Sequence, residues 1–171
     1  MARKFEHSVP STLSVSEVHA ALTSEQYWKD RLEAVGGPKA ELKSVTVTGD
    51  DADTRTVRVE QLQAVAEDLL PGAITAIHPG DLFISRMESW GSVDAQGAAG
   101  EFEANVEGAP ATVKGTVKLT SEKSGSTFTI AGAAEVKVPI FGGKIEQAVI
   151  EQILALIDAE QEFTGEWVRE H

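Results

Sequence analysis

Hydrophobic residues along this chain follow two different periods. Between about residues 40 and 138, apolar and polar residues alternate, and turn residues divide this region into about six strands. A further strand at the N-terminus places Phe5, His7 and Val9 on one face. From residue 144 to 163 the period becomes helical.

Two short helices are predicted between the first strand and the alternating region. Ser14 with Glu17, and Thr23 with Gln26, have the spacing of capping boxes, which mark helix starts. The Gly-Gly-Pro of residues 36–38 ends the second helix. The order of elements predicts an α+β fold, with an antiparallel sheet of about seven strands and a long C-terminal helix.

The last three strands have a register that the turns predict. If residues 108–109 form a two-residue turn, Phe102 lies opposite Gly115. If the next loop also contains an even number of residues, Gly115 lies opposite Gly132. One face of this sheet is then apolar or small, and the other is polar. Small residues on the covered face predict either a close contact between helix and sheet or a cavity.

The strand at residues 82–90 has two possible inward faces. An even-numbered turn around Asp94 and Ala95 places Met87 opposite Phe102, so we expect Phe83 and Met87 to face the interior and Arg86 to face solvent. If the turn contains an odd number of residues instead, Arg86 faces the interior and becomes a carboxylate-binding residue.

The C-terminal helix carries a carboxylate on its apolar face. Glu160 falls within the stripe that Ile145, Val149, Ile153, Leu156, Phe163 and Trp167 form. Burying a carboxylate without a partner is costly. Glu160 therefore either marks the wall of a ligand cavity, or reaches water or a nearby cation.

Composition limits the classes of function. The net charge of -12 opposes binding to nucleic acid. The chain has no cysteine, no long apolar run and no histidines at metal-ligand spacing, so we expect a cytoplasmic protein without a membrane segment, metal site or cofactor. The length of 171 residues predicts a single domain spanning 1–171. Oligomeric state is left open.

Several segments carry a resemblance to a known family. They are SEQYWKDRL, HPGDLFISRMESW and the C-terminal VKVPIFGGKIEQAVIEQILALIDAEQEFTGEWV. Together with the order of elements, they resemble an uncharacterised, mainly actinobacterial family of START-like proteins. These belong to the helix-grip superfamily of pollen-allergen-like proteins, polyketide cyclases and lipid-transfer domains. The resemblance implies a curved sheet that wraps around the terminal helix, with space between them for an apolar or amphipathic small molecule.

Three functional hypotheses follow. The first is binding or carriage of a lipid or polyketide-like molecule, with residues 69–77 (LLPGAITAI) as a mobile lid or as an ordinary connector. The second is a metal-free cyclase or dehydratase with His7 and Glu160 as its acid–base pair. The third is a filled-core protein that binds protein partners. The ligand-binding residues predicted for the first are His7, Leu70, Ile74, Phe83, Met87, Phe102, Gly115, Phe128, Gly132, Val149, Leu156 and Glu160.

Overall fold

The fold is a seven-stranded antiparallel sheet that curves around a long C-terminal helix. The computed structural model describes residues 2–76, 78–140 and 142–171, without the side chain of Ala73. The strands are β1 (Arg3–Ser11), β2 (Glu41–Thr48), β3 (Thr56–Val65), β4 (Leu82–Trp90), β5 (Gly97–Val106), β6 (Ala111–Glu122) and β7 (Gly125–Val136). The helices are α1 (Val15–Leu22), α2 (Glu25–Val35), the one-turn α3 (Gly72–Thr75) and α4 (Gly142–Glu170), with a 3₁₀ turn at Glu67–Leu69.

The sheet runs in the order β1-β7-β6-β5-β4-β3-β2, so the first strand closes onto the last. Helix α4 packs against β7 and β1 and also contacts α1, α2 and α3. Its apolar residues join those of the inner sheet face in one hydrophobic core. This arrangement confirms the predicted helix-grip architecture.

The first predicted capping box is confirmed and the second is wrong. The Ser14 hydroxyl accepts from the Glu17 N–H, and the Glu17 carboxylate accepts from the Ser14 N–H. Thr23 instead ends α1, and its hydroxyl donates to the carbonyl of His19 at 3.0 Å. Because this hydroxyl is engaged with the preceding helix, α2 begins after Ser24, without a side-chain cap.

The register predicted for the last three strands is confirmed. Phe102 pairs with Gly115, and Gly115 pairs with Gly132. Gly132 in turn pairs with Phe5 of β1, so two phenylalanines flank two glycines in a row across four strands. The rings of Phe5 and Phe102 meet edge to face above the glycines, with centroids 6.4 Å apart. These rings fill the space that the glycines leave.

The inward face expected for β4 is wrong. Glu88 pairs with Phe102, and Leu82, Ile84, Arg86, Glu88 and Trp90 are the buried residues of the strand. The loop before β5 turns at Asp94, whose Oδ1 accepts from the N–H groups of Gln96 and Gly97 at 2.8 and 3.1 Å. This tight turn shifts the pairing by one residue relative to our expectation. Since side chains alternate along a strand, the shift places Phe83 and Met87 on the outer face.

We expect Gly115→Ala to destabilise the fold by about 1–3 kcal/mol, as overpacking does. A Cβ at Gly115 would lie 2.0 Å from the carbonyl oxygen of Ala131, so the strands must shift. Urea unfolding measures the change. Gly72→Ala is the matched control, because no atom lies within 4 Å of a Cβ built there. Equal stabilities of the two variants would contradict the close approach of β6 and β7.

A buried charge cluster as candidate functional site

Glu160 lies inside the protein and is bound by two arginines. Its carboxylate accepts two hydrogen bonds from Arg86, from Nη1 to Oε2 at 2.6 Å and from Nη2 to Oε1 at 3.1 Å. Arg31 Nη2 lies 3.3 Å from Oε2. Only 1% of Glu160 and 2% of Arg31 are exposed. Glu160 therefore pairs with cations instead of reaching water.

A second carboxylate completes the cluster. Glu88 Oε1 lies 3.9 Å from Nη2 of Arg31 and 3.9 Å from Nη2 of Arg86. Its Oε2 accepts from the indole N–H of Trp90 at 2.6 Å. We call Arg31, Arg86, Glu88 and Glu160 the charge cluster. Its two positive and two negative formal charges sum to zero.

Three parts of the chain position the charge cluster. Arg31 comes from α2, Arg86 and Glu88 come from the inner face of β4, and Glu160 comes from α4. The Arg31 guanidinium stacks on the ring of Trp28, 4.2 Å from its centroid. Gln63 of β3 accepts from Arg86 Nη1 at 2.5 Å and donates to the carbonyl of Val35 at 3.3 Å. The cluster therefore joins both helices to the sheet.

Hydroxyl groups continue the polar contacts along α4. Thr164 donates to the carbonyl of Glu160 at 2.8 Å, and the Tyr27 hydroxyl lies 2.5 Å from that of Thr164. Since the Thr164 proton is used on the carbonyl, Tyr27 is the donor of this second bond. Burial raises the pKa of Tyr27 above its usual range, although Arg31 opposes this, so the phenol keeps its proton.

The arginines keep Glu160 ionised. Burial alone would raise its pKa, but Arg31 and then Arg86 outweigh that effect and hold the pKa of Glu160 below its usual range. Burial likewise lowers the pKa of Arg31, while Glu160 and Tyr27 raise it, and the net shift is upward. Both partners are therefore charged at neutral pH, and Glu160 is poorly suited to act as a general base.

Two small voids lie between the sheet and α4. One is lined by the charge cluster's Arg31, Glu88 and Glu160 together with Tyr27, Trp90, Gln161, Thr164 and apolar residues. The other lies below α3, and its lining atoms are apolar, from residues that include Ile74, Ile84, Ala104, Val149 and Ile153. Each void measures about 10 Å³, whereas small-molecule pockets measure about 300–1,000 Å³. Neither of these voids can therefore hold a small molecule in this conformation.

The residues predicted to bind a ligand fall into several places. Ile74, Phe102, Phe128, Val149 and Glu160 are buried, and Gly115 and Gly132 lie beneath the rings of Phe5 and Phe102. Leu70 and Leu156 are half-buried at the edge of the core. Phe83 and Met87 face outward. Ile77, which the lid hypothesis includes, lies outside the described residues.

His7 and Glu160 do not form the pair that the enzyme hypothesis needs. His7 Nε2 lies 2.7 Å from Oδ1 of Asp158, at the exposed edge of the helix. Glu160, two residues further along α4, points to the arginines instead. Side chains two residues apart on a helix do not share a face, which explains the separation.

Sequence reasoning missed most partners of Glu160. Arg31 stands on a helix with few apolar positions, and no spacing connects it to residues 88 and 160. Arg86 was identified only as the alternative that the opposite turn parity creates, and that alternative is the one observed. A third buried carboxylate, Glu146, was also missed; it accepts from the N–H of Val136 at 3.0 Å and joins the start of α4 to the end of β7.

We expect Arg86 and Glu160 to be strongly coupled in a double-mutant cycle. Glu160→Met leaves two buried arginines with one carboxylate and should cost about 3–5 kcal/mol, as does breaking a buried ion pair. Arg86→Met/Glu160→Met keeps Arg31 with Glu88 and restores neutrality, so it should lose much less than the sum of the single changes. Urea unfolding of the four proteins gives the coupling energy.

The exposed helix pair Glu25 and Lys29 provides the control, at 3.2 Å between Oε1 and Nζ. Its coupling should stay within about 0.5 kcal/mol. Additive losses at Arg86 and Glu160 would show that the cluster does not act as one charged unit.

Comparisons with known proteins agree with this fold. An uncharacterised protein of Mycobacterium tuberculosis H37Rv is 37% identical over 170 residues, which cover 98% of each chain. Among solved structures, a conserved protein from Geobacillus kaustophilus matches with a TM-score of 0.60 and 16% identity over 98% of this chain and 96% of its own. The Zhui aromatase/cyclase from Streptomyces sp. R1128 matches with a TM-score of 0.56 and 9% identity over 99% and 94%.

These likenesses confirm the resemblance to an uncharacterised START-like family with actinobacterial members. Among the described residues, no helix is long and apolar enough to cross a membrane.

A family model with the description "Protein of unknown function (DUF2505)" matches residues 6–168. Because this match spans nearly the whole chain and the mycobacterial relative covers it equally, this protein belongs to the DUF2505 family.

Proposed function

We propose that this protein binds a hydrophobic or amphipathic small molecule, such as a lipid or a polyketide-like compound, between the sheet and α4. The observation that carries the proposal is the apolar void below α3. It is lined from the sheet by Ile84 and Ala104, from α4 by Val149 and Ile153, and from above by Ile74. The fold shared with an aromatase/cyclase supports the same interpretation.

Binding requires that the void enlarge, and the segment above it is the part best suited to move. Helix α3 has a single turn and no side-chain cap. Among its described residues, side-chain hydrogen bonds anchor the segment at Glu67, whose N–H donates to Asp81 Oδ1 at 3.0 Å, and at His78, whose Nε2 lies 3.2 Å from the carbonyl oxygen of Glu107. Displacing α3 would widen the void without breaking a strand pair. The segment at residues 69–77 would then act as a lid.

A large apolar side chain of this segment is exposed, which is consistent with a lid. Leu69 precedes α3 and is 70% exposed, although it is a large apolar side chain. An exposed leucine gains nothing from its present position, so a movement that buries it against a ligand or the core is favourable.

The filled-core hypothesis is the second candidate, because both voids are small. In that case the chain binds no small molecule and its surface contacts proteins. The cyclase hypothesis lacks an observation of this kind, since His7 contacts Asp158 and Glu160 contacts arginines.

Native mass spectrometry with organic extraction tests the proposal. We expect the purified protein to carry a reproducible apolar adduct, or to gain one from a panel of lipids and aromatic polyketides. Ala104→Leu should abolish the adduct, because the added atoms fill the void below α3.

Ala98→Leu is the matched control, since Ala98 is buried on the same face of β5 but does not line that void. The control should keep the adduct. A protein that stays free of adducts across the whole panel would overturn the proposal and leave the filled core.

A further inference from the structure

The void beside the charge cluster has the size of a single oxygen atom. Its volume of about 10 Å³ is close to the smallest space that accommodates one water or one hydroxyl. The nearest α4 residues of the two linings, Ile157 of this void and Ile153 of the apolar void, lie one helical turn apart, and the linings extend away from each other to Thr164 and to Val149. One turn of α4 corresponds to about 5.4 Å. A single molecule that reaches both voids must therefore span at least one turn of α4.

The polar void offers a hydrogen-bond donor that has no aligned acceptor. Among the residues that the structure describes, Arg31 Nη2 is buried and makes ionic contacts but no hydrogen bond, and Gln61 Oε1 is a buried acceptor without a donor. Arg31 lines the void, and Gln61 lies opposite Arg86 in the ladder of β3 and β4. An unsatisfied buried polar group costs about 1–3 kcal/mol, so a ligand group that satisfies it gains affinity.

The formal charge of the cluster decides which ligand group fits. Arg31 and Arg86 already face Glu88 and Glu160, so the four charges cancel. A ligand carboxylate would add an uncompensated negative charge to a buried site, and an ammonium would add a positive one. A neutral hydroxyl adds no charge. It can accept from Arg31 and donate to a carboxylate of the cluster, because an O–H group does both.

We propose that the ligand carries a neutral hydroxyl on an apolar body, and that this hydroxyl binds at the charge cluster beside Arg31 and Glu88. The apolar body then occupies the widened space below α3. This inference rests on the proposed function and specifies the chemical class of the ligand.

Matched pairs of probes test the proposal on the wild-type protein. Octan-1-ol and octanoate share an aliphatic chain, and 2-naphthol and 2-naphthoate share a flat aromatic body. Isothermal titration calorimetry at pH 7.5 compares the members of each pair. We expect the alcohol or the naphthol to bind about tenfold or more tightly than its carboxylate, which corresponds to about 1.4 kcal/mol or more.

A charge-changing variant tests where the hydroxyl or carboxylate of the probe binds. Glu160→Gln leaves the cluster with one net positive charge, so the preference should reverse in favour of the carboxylate. Glu162→Gln removes the same charge from the same helix at an exposed position and should keep the wild-type preference. If Glu160→Gln does not fold, the wild-type comparison and the Arg31→Met variant show whether the hydroxyl binds at the charge cluster. Arg31→Met removes the free donor and makes the cluster negative, so it should weaken alcohol binding and still exclude the carboxylate.

Each outcome separates the two proposals. Equal or tighter binding of the carboxylates by the wild type overturns the hydroxyl assignment and leaves small-molecule binding intact. A wild-type preference for the alcohols that neither Glu160→Gln nor Arg31→Met alters places the hydroxyl elsewhere and also overturns the assignment. Absence of binding by all four probes, together with a protein free of adducts, overturns both proposals.

Discussion

The arrangement of this protein depends on the charge of Glu160 being balanced inside the core. A carboxylate on the apolar face of a helix is costly unless cations and hydrogen bonds surround it. Arg86 supplies two aligned bonds from β4, and Arg31 supplies a second positive charge from α2. The helix therefore has one rotation and one position along the sheet that satisfy this group.

The same balance explains features that otherwise look unrelated. The inward face of β4 must carry Arg86 and Glu88. The turn at Asp94 therefore pairs β4 with β5 in the register that places both side chains inside. Helix α2 must reach the interior, and stacking on Trp28 keeps the Arg31 guanidinium there. Trp90 donates a further hydrogen bond to Glu88, and Gln63 accepts one from Arg86. Four elements that are distant in sequence meet at one point because each brings a group that the others require.

Local patterns in the sequence predicted most of the fold and part of the site. Alternation, the turn at residues 108–109 and the helical stripe gave the strands, their register and the inward position of Glu160. The inward face of β4 was predicted wrongly because the turn around Asp94 sets how β4 and β5 pair. The alternation of apolar and polar residues does not reveal the length of that turn. Arg31 was missed because its role depends on how α2 packs against α4. The row of glycines and its contact with Phe102 were predicted, whereas the second ring above it, that of Phe5, was not.

The candidate site consists of two small voids and a polar centre whose formal charges cancel. The apolar void below α3 and the void beside the charge cluster are both small, so any ligand must displace part of the core. The one-turn α3 belongs to no strand pair, so its movement leaves the pairing of the sheet intact. The polar centre stays in place, because moving it would expose or unpair buried charges. In this family member a ligand would therefore meet a fixed polar group and an adjustable apolar wall.

The most direct test of this balance is the titration of Glu160 itself. Carbon-13 NMR of the side-chain carboxyl groups, with the Glu160 signal assigned by its loss in Glu160→Gln, follows its ionisation as the pH is lowered. If Arg31 and Arg86 outweigh the effect of burial, the signal titrates with a midpoint below the ordinary value of 4.5. A midpoint above 4.5 would mean that burial dominates and that the arginines do not hold Glu160 as described.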